Sequence, residues 1–130
     1  MWEIALREAL IAHLAADPAL AGELNTVVEE APLRTAPPWL AVVASASADW
    51  STKSETGREV RVALELHMRG DDPGAGRNLA GDICAAVEAL PPDRGDFRIA
   101  NTRFLRARVE QRPENRRAML IEYRFRLIES

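Results

Sequence analysis

At 130 residues the chain is long enough for one domain with one hydrophobic core and too short for two comfortable ones. Hydrophobic residues make up 47% and charged residues 28%, the ordinary balance of a soluble globular protein. A net charge of −3 argues against a protein that grips duplex DNA by its phosphates, and a single cysteine, Cys84, excludes an internal disulfide or a cysteine-rich zinc site.

Trp2 to about Ala16 reads as a helix, with Leu6, Leu10 and Leu14 recurring every four residues. Asp17-Pro18 ends it, because the residue before proline avoids helical geometry. Thr26–Glu29 is a short strand cut off by Pro32, and Pro37-Pro38 introduces a strand over Trp39–Ser47 whose small apolar residues read as buried on both faces. From Arg58 to Arg69 the alternation is strict: Val60, Val62, Leu64, Leu66 and Met68 point one way, and Glu59, Arg61, Glu65, His67 and Arg69 the other. That period marks a strand buried on one face and favours an antiparallel sheet.

Asp71-Asp72-Pro73 predicts the start of a second helix over residues 73–90, capped by Asp72 and buried along Leu79, Ile83, Ala86, Val87 and Leu90. Pro91-Pro92 stops it. A hairpin follows, with arms Phe97–Gln111 and Arg117–Glu129, a turn at Pro113-Glu114-Asn115 and a change of phase near Asn101. The expected fold is α+β: one domain over residues 1–130, an antiparallel sheet of about four to five strands, and two helices packed on one face. That face is expected to be built from Val60, Val62, Leu64, Leu66, Ile121, Tyr123 and Phe125.

Little here points to catalysis. His13 and His67 have no metal-ligand neighbour at a telling spacing, and Cys84 sits in an apolar helical stretch as a small core residue would. Gly70, Gly74 and Gly76 lie between a strand and a helix, but the Lys-Ser/Thr ending of a phosphate loop is missing. Met1-Trp2-Glu3-Ile4 has neither the basic start nor the apolar block of a signal peptide, and no apolar run approaches the ~20 residues of a membrane span. The expectation is a soluble product, cytoplasmic at synthesis.

Contact chemistry is richer. Between the two strand-like runs lies Ala48–Arg58, with Asp49, Trp50, Ser51, Thr52, Lys53 and Arg58 where a tight turn would serve. A polar connection of this length usually touches something, and Trp50 is either its anchor or a lid folded over the sheet. Thr52–Gly57 is polar enough to be mobile alone. Glu65, Arg106, Arg108, Glu122, Arg124 and Arg126 predict a sheet face striped with both signs. Such a face is either solvated, or meets a neighbouring subunit or lines a channel.

The order of elements and several local runs resemble the tail terminator, or tail completion, proteins of long-tailed phages and gene transfer agents, most of all the gene transfer agent members. The runs are Ala15-Ala16-Asp17-Pro18-Ala19-Leu20, Val27-Val28, Pro37-Pro38-Trp39-Leu40-Ala41-Val42-Val43 and Asp49-Trp50-Ser51-Thr52-Lys53. Arg58-Glu59-Val60-Arg61-Val62, Asn101-Thr102-Arg103-Phe104-Leu105 and Tyr123-Arg124-Phe125-Arg126 continue the set, while Glu29 stands where an aromatic is expected. The resemblance implies a virion protein with no catalytic residues, cofactor, metal or membrane partner. It implies a ring of copies, six-fold in the better-known relatives, that caps the tail tube protein and meets the head–tail connector while DNA only passes through. In that role the Asp49–Lys53 loop with Arg58 would dock the tube or head. The competing readings are a head–tail stopper or adaptor, a small α+β enzyme using Cys84 or a histidine, and a monomeric ligand-binding module.

Overall fold

Leu6, Leu10 and Leu14 are completely buried and dock the first helix, α1 (Trp2–Ala16), onto a sheet in the computed structural model of the chain. The structure describes residues 1–29, 35–71, 74 and 76–130. Asp17 ends α1 in extended geometry, and its carboxylate then accepts hydrogen bonds from the Ala19 and Leu20 N–H groups at 2.9 and 3.2 Å. The same Asp-Pro pair that stops α1 thus caps a further short helix, α2 (Pro18–Ala21), which the sequence reading did not expect.

The strands are β1 (Val27–Val28), β2 (Trp39–Asp49), β3 (Gly57–Arg69), β4 (Phe97–Arg112) and β5 (Arg116–Glu129), in the spatial order β1-β2-β3-β5-β4. β1 pairs parallel with β2, whereas β2–β3, β3–β5 and β5–β4 are antiparallel. The sheet is therefore mixed rather than antiparallel, and three helices are described rather than two. In the parallel pair Val27 lies beside Leu40 and Val28 beside Ala41.

The third helix, α3 (Arg77–Glu88), packs beside α1 on the face carrying Val60, Val62, Leu64, Leu66, Ile121, Tyr123 and Phe125, all in one buried cluster. An imidazole N–H of His13 donates to the Ala86 carbonyl at 2.8 Å and ties the two helices together. Tyr123 donates to the Glu88 carboxylate at 2.7 Å; burial, with that carboxylate beside it, holds the phenol protonated far above its ordinary range. The expected start at Asp72-Pro73 lies outside the described residues; α3 is entered through Gly76, whose φ is +79°. That positive φ is one L side chains rarely adopt, so the backbone favours glycine there, and a Cβ would also displace the Met68 side chain.

β2 corrects a second expectation. Only its first four residues, Trp39–Val42, are buried, and everything from Val43 to Asp49 is exposed. A bulge between Val42 and Ala44 shifts the register, so that Ser45 and Ser47 pair with Val62 and Val60 on the helix side. Polar contacts replace packing there. Ser47 donates to Glu3 at 2.9 Å, while Arg7 donates to the Val42 carbonyl at 2.8 Å, to Ser45 Oγ at 3.1 Å and to Glu29 at 3.2 Å. Glu29, set where the family resemblance expects an aromatic, so helps hold the arginine that supports the bulge. Arg7→Met keeps the side chain's length but loses these bonds, and should lower stability by about 1–3 kcal/mol. A urea midpoint equal to that of the parent would show that the bulge stands without Arg7.

Candidate functional site

The connection between β2 and β3 is tighter than its composition suggests. The strands continue to a final Asp49–Arg58 pair, leaving residues 50–56 as the tip. Asp49 accepts from the Ser51 hydroxyl at 2.6 Å and from its N–H at 3.1 Å, which with Arg58 nearby holds the Asp49 carboxyl below its ordinary value. Ser51 Oγ in turn accepts from Gly57 N–H at 3.0 Å. Thr52 Oγ1 accepts from Glu55 N–H at 3.1 Å, and Thr52 N–H donates to the Glu55 carbonyl at 2.9 Å. The run expected to be mobile is bonded to itself as a series of side-chain turns. Gly57 permits it: a Cβ there would lie 2.5 Å from the Trp50 carbonyl oxygen.

Trp50 is 37% exposed, and the Arg126 guanidinium lies 5.1 Å from its ring centroid. One side of the indole is braced by the sheet and the rest faces solvent, between the anchor and lid expectations. The tip sits at one end of the sheet beside the first turn of α1, and Thr56 accepts from the N–H of Glu129 at 3.0 Å. Lys53 is exposed.

Glu65, Arg106, Arg108, Glu122, Arg124 and Arg126 all fall on the helix-free face. Arg106 meets Glu122 at 3.0 Å, which raises the guanidinium pKa, and Arg126 meets Glu59 at 3.1 Å. Arg108 reaches Glu110 at 3.3 Å, and Arg112 reaches Glu65 at 3.7 Å. These are exposed or partly exposed pairs, screened by water and salt, and contribute little to stability.

The balance on this face was not visible in the six residues. Strand register brings ten arginines (61, 69, 98, 103, 106, 108, 112, 116, 124 and 126) together with Glu59, Glu65, Glu110 and Glu122. With 17 basic and 20 acidic groups in all, the remainder of the chain carries seven basic and sixteen acidic residues. The helix-free face is basic and the rest of the chain acidic. Across its middle run Arg61, Arg124 and Arg103 on neighbouring strands, and the buried Arg124 Nε has no acceptor.

At the border of this face His67 stacks on Trp39, with ring centroids 3.8 Å apart, and bonds to Glu65. Trp39 is buried as expected of a core residue, but on the side opposite the helices. Cys84 is only partly buried, against the core. Among the described residues no group of His, Cys, Asp and Glu side chains is placed to hold a metal ion, and no helix is long and apolar enough to cross a membrane.

Burial lowers the His67 pKa and outweighs Glu65, with Arg112 and Arg116 adding to the lowering. The unfolded chain then takes up the proton first, so stability is full above about pH 6.5 and declines as pH falls from there toward the lowered folded value. In urea titrations at stepped pH, His67→Gln should flatten that decline. An unchanged slope would mean that His67 does not carry it.

Residues 8–128 match a family model described as Tail completion protein gp17. No curated protein matches the chain. Among solved structures, a chain from "Virion of native gene transfer agent (GTA) particle" superposes with a TM-score of 0.71 at 23% identity, covering 95% of this chain and 94% of that one. At that identity the likeness speaks for the shared fold. The family match spans nearly all of the chain, from inside α1 to the end of β5, and so takes in both the tip and the basic sheet face. This chain belongs to the tail completion protein family.

Proposed function

We propose that this chain is a tail terminator of a long-tailed phage or gene transfer agent. Copies form a ring, six-fold as the family resemblance implies, that seats on the finished tail tube, halts addition of tube protein and receives the head connector. The reading rests on family membership and on the self-bonded tip that presents Trp50. A loop held by its own hydrogen bonds loses little entropy on docking, and a half-exposed tryptophan braced by Arg126 is a preorganised anchor. Asp49, Ser51, Thr52, Lys53 and Arg58 surround that anchor with polar contacts.

The helix-free face faces the DNA passage in this arrangement. Its excess of arginine attracts phosphates, while the Arg106–Glu122 and Arg126–Glu59 pairs occupy part of that charge, so the duplex slides rather than sticks. The virion is the working location, with assembly in the bacterial cytoplasm.

Joining Trp50 to Gly57 through a two-residue Asn-Gly turn, in place of residues 51–56, removes the tip but not the core. It should cost about 1 kcal/mol of stability, chiefly the lost Glu129–Thr56 bond. Particles carrying it should show overlong tails or tails detached from heads. Trp50→Ala should give a milder defect, since truncating an interface anchor costs about 2 kcal/mol of binding. Tails of normal length joined to filled heads, made with the shortened chain, would exclude the tip as the docking element. A stopper or adaptor would instead leave tail length normal and lose only the head.

A further inference from the structure

The two long edges of the sheet are unlike each other in a way that fits them together. β1 covers β2 only at Leu40 and Ala41, so among the described residues no strand pairs with the outer side of β2 from Val43 to Asp49. At the opposite border the bridge of Asp93 with Arg98 covers the start of β4, and among the described residues no strand pairs with its outer side beyond Ile99. Each border also exposes apolar side chains. Val43 is 40% exposed at the β2 bulge, and Ile4 is 56% exposed on α1. Trp2 and His13 mark the α3 side of that helix, and Arg7, reaching β2, marks the other; Ile4 and Glu8 lie on the Arg7 side. On β4, Phe104 is 45% and Val109 49% exposed, although both point to the helix side, opposite Tyr123 and Met119.

Charge differs in sign across the molecule. The β4 border carries Arg98, Arg103, Arg106, Arg108 and Arg112 against Glu110 and Asp93, the latter bridged to Arg98. The β2 border carries Glu3, Glu8, Glu29 and Asp49 against Arg7 and Arg58, and so is net acidic. Each edge thus exposes an apolar pair on the helix side, and the two borders differ in net sign, with the β4 arginines on the helix-free side of theirs.

We infer that the β4 edge of one copy docks against the α1–β2 edge of a second copy, placing Phe104 and Val109 against Val43 and Ile4. Because the two surfaces differ, the contact is head-to-tail and propagates until it closes, which is the geometry of a ring rather than of a two-fold dimer. Bulges at both edges, after Val42 on β2 and after Ile99 and Phe104 on β4, keep either strand from pairing with arbitrary strands, so side chains select the partner. The inference rests on the ring reading above and adds the surfaces that build the ring.

The test uses particles that carry Val43→Cys and Phe104→Cys together in a Cys84→Ala background, treated with a short bismaleimide. The expected result is a ladder of multimers whose top rung counts the subunits of the ring. Each single-cysteine variant should stay monomeric, because a head-to-tail contact never brings two copies of one residue together. Normal-tailed particles with no ladder from the double variant, or dimers from a single variant, would overturn the edge contact. A copy number of one per particle would instead sink the ring reading itself. If the cysteine variants prevent assembly, purified Val43→Glu and Phe104→Glu chains are mixed in their place. Each should be monomeric alone, and together they should form a 1:1 dimer that grows no further, since one sound edge remains on each. A mixture that stays monomeric would contradict the inference.

Discussion

The roof of helices is narrower than the sheet it covers, and most of the surface follows from that mismatch. α1 and α3 bury the centre of the sheet, where Val60, Val62, Leu64 and Leu66 on β3 and Ile121, Tyr123, Phe125 and Leu127 on β5 are almost fully enclosed. They do not reach over the far half of β2 or most of β4, which stay exposed. Among the described residues the sheet is stabilised in the middle and leaves stretches of both border strands unpaired. Among the described residues no helix covers the other face, so charge dominates what it presents.

The borders are fitted for solvent by different means. At β2, serines and a bulge replace apolar residues, and Arg7 supplies the donors that the bulged carbonyl needs. At β4, arginines on the helix-free side and two bulges serve the same end. At the tip, Asp49, Ser51 and Thr52 bond the backbone locally, so residues 50–56 hold a defined shape without a core beneath them. Each device satisfies exposed backbone locally while leaving a shaped surface.

How much of this was legible depends on the side chains. β3 and β5 were plain, because large apolar residues alternate with charged ones and no bulge disturbs their pairing. β2 misled because alanine and serine look alike at a buried and an exposed edge, and only the bulge at Val43 decides between them. The parallel β1 carried no signal, since two valines set no direction. The six charged residues assigned to one face are indeed on it, but the row Arg61–Arg124–Arg103 was hidden. Arg103 and Arg106 are three apart and share a face only because a bulge intervenes after Phe104. The tip residues announced contact chemistry, while their bonding to one another depends on Gly57 letting the Trp50 carbonyl approach.

The central claim is that this chain ends tail growth and readies the tail for the head. It is tested most directly by deleting its gene from the producing element and measuring tail lengths in electron micrographs. The account predicts a broad distribution reaching well beyond the normal length, with few tails attached to heads, and a return to one sharp length when the intact chain is supplied in trans. Tails of uniform normal length without it, joined to DNA-filled heads, would contradict the account.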